Sequence, residues 1–340
     1  PIELLGIGAL LVFVVTVAAS GAAHDPRELL IQSGYLAPVV AILLVAVGTV
    51  WTAVDQYLRR DFGPVYPTWP FPMHKNLAGP VLGLGAAIVY VRPSWAGWRP
   101  RTATALFVVF VVSALLTQSR QALIGLGVVL VLVVVNAPKE QRRSRSIFVV
   151  VLTLLALSVT MVQDQIASGD RFNSAYQRLS WFSDAVRIWS EDPWFGQGLR
   201  WWYQPERFGA VQPPNAELEV LTSVGLVGLV GFLVLFVGTI LVLRRVPRDY
   251  AQLALVVVVS RLVQAQFDLF WVAVLGSIPW LVVGLCLGAQ AWADEHDHDG
   301  AAAWSTSVAA RARGPYGAHG SHRSAAHGSA PVGSAPGAAR

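Results

Sequence analysis

The chain has little charge and almost no sulfur chemistry. Only 13% of its 340 residues are charged, against 54% hydrophobic. A water-soluble domain carries roughly 25% charged residues, so this chain cannot coat a soluble surface of its size. It has one cysteine, Cys286, which lies in an apolar run. One cysteine excludes an internal disulfide and any multi-cysteine metal site. The net charge of +5 does not argue for nucleic acid, because the basic residues sit in short loops between apolar segments, where they set topology. The chain opens on Pro1 and enters an apolar run at once, without a basic n-region or small-residue cleavage site. That is not a signal peptide; it is the expected appearance of the C-terminal part of a longer membrane protein.

What is abundant is hydrophobic length. Nine apolar segments are expected at about 3–19, 34–54, 76–91, 103–117, 120–136, 146–163, 216–243, 250–266 and 270–292. A crossing of about 30 Å of hydrocarbon needs roughly 17–25 apolar residues. Backbone groups in lipid must pair internally, so such runs become helices. The expectation is an all-α, polytopic bundle of about nine transmembrane helices over residues 1–293. The segment 76–91 is short and holds Pro80 and three glycines, which suits a tilted or re-entrant helix.

Orientation follows from the loops. Arg92, Arg99 and Arg101 lie in one, Lys139, Arg142, Arg143 and Arg145 in the next, and Arg244, Arg245 and Arg248 in a third. Basic loops face the cytoplasm, and nine crossings put all three on the same side. Exported segments are then 55–75, the tight link 117–120, the loop 164–215 and the link 267–269, with the C-terminus cytoplasmic.

The long loop carries an expected amphipathic helix from Ser174 to Glu191, with Leu179, Phe182, Val186 and Trp189 on one face. Asp192-Pro193 stops it, and Gly196 and Gly198 suit a turn. Flanking tryptophans (Trp181, Trp194, Trp201, Trp202) point to the outer membrane surface. Residues 294–340 are acidic, then rich in Ala, Gly, Ser, Pro, His and Arg. They cannot bury enough apolar area to fold. Their irregularly spaced histidines read as a solvated tail, not a metal site.

Ionisable residues in or beside membrane helices need a reason, and in this topology they collect at the exported ends. His74, Lys75 and Asn76 open the third segment. Gln118, Ser119 and Arg120 form the tight turn. Arg171, Arg178 and Arg187 belong to the long loop. Asn215, Glu217 and Glu219 open the seventh segment, and Arg261, Gln264, Gln266 and Asp268 close the eighth. Each has a plain structural reading as well. Arg120 can snorkel to water, Asn215 can cap a helix whose dipole Glu217 and Glu219 complement, and Arg171 and Arg187 can be solvated loop charges. Arg261, inside an apolar run, is the hardest to explain structurally. Cations dominate the set, and guanidinium forks bind phosphate oxygens in bidentate fashion. Several arginines beside apolar helices suit a ligand with a diphosphate head and a lipid tail. No acidic cluster of metal-ligand type stands out, so action without a metal or other cofactor is expected.

Four stretches, in order, carry a resemblance. They are Met73-His74-Lys75-Asn76-Leu77-Ala78; Thr117-Gln118-Ser119-Arg120-Gln121-Ala122; Arg178 to Trp181 with Asp192-Pro193-Trp194-Phe195-Gly196-Gln197-Gly198; and Asn215-x-x-Leu218 followed by Gly225, Leu226 and Gly228. Over roughly residues 34–290 the chain resembles the O-antigen ligase/polymerase superfamily of bacterial envelope glycan assembly. The resemblance implies a GT-C-like membrane fold in the cytoplasmic (inner) membrane. It also implies a glycan donor on undecaprenyl diphosphate, a glycan or lipid acceptor, and no nucleic-acid partner. It gives Arg120 as the leading diphosphate ligand and Arg178 as a second; Arg261, Lys75, Asn76 and Asn215 are further substrate-binding candidates. Where the family has a histidine that activates the acceptor hydroxyl, this chain has Pro214. His74 and Glu217 are the candidate replacements. The competing class is a transporter or non-catalytic membrane component, which would more naturally show internal repeats and polar residues through the midplane.

Overall fold

In the computed structural model, the described residues are 26–136, 174–209, 212–267 and 274–295, with the isolated positions 156 and 160. Among them the chain is all α, with nine helices and no strand. These are α1 (Pro26–Leu58), α2 (Lys75–Val91), α3 (Pro100–Leu116), α4 (Arg120–Val135), α5 (Ser174–Glu191), the short α6 (Pro205–Phe208), α7 (Ala216–Leu243), α8 (Arg248–Gln264) and α9 (Val274–Glu295). Seven of the nine expected apolar segments appear as helices, six within about four residues of their expected ends and the 34–54 segment as a helix that starts eight residues earlier, at Pro26; 3–19, nearly all of 146–163, Arg171 and residues 296–340 lie outside the described residues. The helix expected at Ser174 to Glu191 has those bounds.

Among the described residues, three stretches are long and apolar enough to cross a membrane: Leu29–Leu58, Ala216–Leu243 and Gly276–Glu295. Three shorter apolar helices, α2, α3 and α4, accompany them. Seventeen residues rise about 25 Å, just under the hydrocarbon thickness. These are the features of a multi-pass membrane protein.

α2 sits at the centre, against α1, α3, α4 and α8. Its small residues set the distances. A Cβ on Gly85 would lie 2.6 Å from Ile42 Cγ2, and one on Gly79 would lie 2.6 Å from Ser119 Cβ. Without lipid-to-protein hydrophobic gain, close backbone approach through small residues is what holds such helices together. Pro80 inside α2 lacks an amide hydrogen, which leaves the carbonyl of Asn76, four residues earlier, without its helical donor. Gln121 supplies the missing bond, donating from Nε2 to Asn76 O at 2.5 Å. The proline that made this segment read as possibly re-entrant is thus accommodated in one continuous helix by a side chain from α4.

A second, smaller core lies where the 174–208 region meets α7. Ile188, Trp201 and Phe208 pack together with Trp202 against them. The buried side of α5 is Ala185 and Ile188, whereas Val186, expected in the apolar stripe, is 50% exposed. Small Ala185 sits on the protein-facing side of a helix packed on α7, and Phe182 and Trp189 of the expected stripe are half-buried.

Candidate functional site

Two helix starts meet first. Lys75 and Arg120 are the opening residues of α2 and α4, and Gly79 lies under the turn Thr117–Ala122. Neither helix has an acidic residue in its first turn. Both N-termini therefore present positive dipole ends. His74 caps α2, with Nδ1 accepting from Asn76 N at 3.2 Å, and its ring stands edge-on to Tyr66 at 5.4 Å. An Nδ1 that accepts implies a proton on Nε2, so His74 stands as a cap and a donor. Lys75 precedes the apolar stretch and is half-buried. Burial first, and then the Arg120 guanidinium, hold its ammonium below the usual lysine range. Two cations face one another here. The Ser119 hydroxyl beside them is buried, with no hydrogen-bond partner among the described residues. Gln118 takes a left-handed backbone (φ 51°) to make the turn, tied by Nε2 to Phe62 O at 3.0 Å.

The start of α7 is built with the opposite sign. Asn215 caps it, accepting from Leu218 N at 3.0 Å, and Glu217 and Glu219 occupy its first turn. Asn215 Nδ2 donates to Gln266 Oε1 at 3.2 Å, and Gln266 Nε2 donates on to Glu217 Oε1 at 2.7 Å. The other Glu217 oxygen is buried without a partner among the described residues. Glu219 is 3% exposed and accepts from Gln212 Nε2 at 2.7 Å.

The end of α8 joins the two. Ala265 O accepts from Ala216 N at 2.9 Å. On its other side, Ser260 Oγ donates to Gly125 O at 3.1 Å. Gln264 fills a notch where a Cβ on Gly125 would lie 2.0 Å from its Nε2. Arg261, 3% exposed, donates from Nη1 to Gln264 Oε1 at 2.6 Å. Burying a guanidinium is costly unless its donors are used, so Arg261 reads as part of a polar junction between α4, α7 and α8.

The third element is an interlock invisible to periodicity. α7 breaks at Gly225 (φ 65°, ψ −164°), a conformation essentially reserved for glycine. Residues 193–198 fill the break. Gln197 N and Gly198 N donate to Thr222 O and Ser223 O at 2.8 and 2.9 Å, while Leu226 N and Val227 N donate to Pro193 O and Trp194 O at 2.9 and 3.3 Å. Those are the carbonyls and amides that would have paired with each other in an unbroken helix. Trp201 Nε1 adds a bond to Thr222 Oγ1 at 3.0 Å.

The structure thus gathers Lys75, Asn76, Arg120, Asn215, Glu217 and Arg261 around linked helix ends. Arg178 lies on α5, with its side chain outside the described set. Arg187 is engaged structurally, donating to Phe208 O at 3.1 Å and pairing with Asp184 and Glu191. Sequence reasoning missed the roles of Gln121, Gln264 and the Gly225 break. Pro80 was the available signal for the first.

The O-antigen ligase family matches residues 105–233, from α3 through the interlock into α7. That match bears out the resemblance to the O-antigen ligase/polymerase superfamily and supports a function of that general kind. No curated protein matches the chain.

Proposed function

With residues 105–233 matching the O-antigen ligase family, we propose that this protein is a membrane glycosyltransferase of GT-C-like architecture. It transfers or polymerises a glycan carried on undecaprenyl diphosphate, at the outer face of the cytoplasmic membrane. The observation that carries the reading is the meeting of Lys75 and Arg120 at two helix N-termini with no acid in either first turn. Fixed cations and amide dipoles there suit a diphosphate. They also stabilise the charge that grows on it as the glycosidic phosphate bond breaks. Apolar helices beside them suit the polyprenyl chain.

Arg261 and Arg178 supply further positive charge near the leaving group, and Asn76 and Asn215 hydrogen-bond the sugar. Glu217 is favoured as the base that takes the acceptor hydroxyl's proton, because one of its oxygens is fixed by Gln266 and the other is uncommitted among the described residues. His74, with Nδ1 spent on a cap, serves less well. In the orientation set by the basic loops, α5 lies on the outer surface, its exposed Val186 face against lipid, and the C-terminus is cytoplasmic. Glycan analysis of a deletion strain tests the reading. Lost elongation identifies a polymerase, and full-length but unattached chains identify a ligase. Unaltered envelope glycan in both length and attachment would overturn the proposal.

A further inference from the structure

A groove of about 430 Å³ runs along α7 beside the interlock, within the size range of small-molecule sites. Its two ends differ in chemistry. Its polar groups, Arg200, Trp202, Glu219 and Ser223, stand among Leu199 and Val220; further along α7 it is lined by Val224, Gly228, Gly231, Phe232 and Leu235 alone. The groove belongs to neither helix start that gathers cations. Its buried carboxylate, Glu219, faces away from the Glu217–Gln266 chain, since residues two apart lie on different sides of a helix.

Ser223 sharpens the chemistry. It is 4% exposed, and its hydroxyl has no hydrogen-bond partner among the described residues. A buried hydroxyl left unmade is costly, so a ligand hydroxyl at that point would be rewarded. Arg200 holds a left-handed backbone (φ 60°), a strained position for a non-glycine residue, and lines the same end. A carboxylate, a hydroxyl, a guanidinium and an indole face form a set that recognises a polyhydroxylated ring. Glu219 offsets the charge of Arg200 at that end, so a phosphate there meets no net positive charge. The apolar end lies on a helix apolar enough to cross a membrane, so a chain attached to that ring would lie among lipid.

We propose that this groove binds a neutral glycolipid, a sugar joined to an apolar chain without a phosphate between them, as the acceptor. The inference rests on the reading of the protein as a glycan transferase, and it separates the two substrates by charge. The diphosphate donor goes to the cationic helix starts; the uncharged acceptor goes to the groove. The sugar nearest the apolar chain sits at Glu219 and Ser223, in the first turns of α7, so the reacting hydroxyl belongs to a sugar further along the head that reaches round the helix start to Glu217.

Photolabelling of the full protein in lipid nanodiscs tests this. The probe is a long-chain alkyl glucoside with a diazirine in its chain. Two comparison probes carry the same chain with a phosphocholine head or a glucose 1-phosphate head. The glucoside should label the peptide spanning residues 219–235 more strongly than either. Glu219→Gln should cut glucoside labelling about tenfold, the worth of a hydrogen bond to a charged group, and leave phosphocholine labelling unchanged. Ser223→Ala should give a smaller drop of the same selectivity. Gly231→Leu should suppress all labelling there, because a Cβ at Gly231 meets nothing within 4 Å and the side chain can occupy the groove without strain. Equal labelling by all three heads, insensitive to Glu219→Gln and Ser223→Ala, would mean only that bulk lipid fills the groove, and overturns the proposal. Preference for the phosphate-bearing head overturns it as well. The two layers separate in the deletion strain and the labelling: unaltered envelope glycan in the deletion strain would remove the transferase reading, whereas the labelling pattern reports on the groove alone.

Discussion

Arg120→Ala will lower glycan transfer by at least about a hundredfold while the protein still inserts in the membrane at its normal level. The size follows from what one positioned donor to a developing oxyanion contributes, about 10²–10³ in rate. Arg120 opens α4 at a turn where Gly79 packs beneath Thr117 and Ser119, and neither its helix nor that of Lys75 has an acidic residue in its first turn. Alanine at a helix N1 position costs the fold little, since Ala is a strong helix former. The loss should therefore appear in transfer, not in abundance. Arg120→Lys should recover part of the rate, because it restores charge but not the bidentate fork. The check is surface glycan, by length and by attachment, normalised to membrane-inserted protein. Near-normal transfer in Arg120→Ala would leave Lys75 and Arg261 to hold the donor and would remove the principal ligand from the account.

Gly225→Ala will disconnect the 193–198 loop from α7. At φ 65° and ψ −164° a Cβ is strained by about 1–3 kcal/mol. It would also stand 2.2 Å from the carbonyl carbon and oxygen of Trp194, which are backbone atoms with no freedom to rotate away. α7 has an inexpensive escape: it can straighten and pair Thr222 O with Leu226 N and Ser223 O with Val227 N. The loop has none, and Gln197 N, Gly198 N, Pro193 O and Trp194 O return to solvent or lipid. The expected result is an inserted protein whose 193–204 region is cut rapidly by protease and whose glycan transfer is lost, because Trp201, Trp202 and Arg200 leave α7 together. Wild-type protease resistance with retained transfer would show that the interlock is dispensable.

How far the sequence could be read depends on the range of the interaction. Helices with one-dimensional signals were legible. The α5 bounds followed from periodicity and from Asp192-Pro193, and the 76–91, 103–117, 120–136 and 216–243 segments each lie within three residues of helix ends. Glycines were legible as turn-formers, and Gly196 does take a left-handed φ of 69°. What they turn toward was not. The segment 216–243 reads as one unbroken apolar helix, because nothing in its hydropathy marks the break at Gly225; its partner lies some thirty residues earlier in the chain. The candidate cations share a class in the sequence, yet their environments in the structure differ. Arg261 is held in a glutamine-lined junction, and Arg187 is spent on a backbone carbonyl. On α5 the protein-facing contact is made by a small residue, Ala185, which hydropathy does not mark, while Val186 of the expected stripe is exposed.

If the cationic helix starts and the tryptophan-rich loop hold a lipid diphosphate together, both face the exoplasmic side. Single cysteines at Gln118 and Ser183, in a Cys286→Ala background, can be treated with a membrane-impermeant maleimide on intact cells or spheroplasts. Both should label from outside, with a cysteine at Arg244 reacting only after the membrane is opened. Reaction of the Gln118 and Ser183 positions from opposite sides would contradict the account at its foundation.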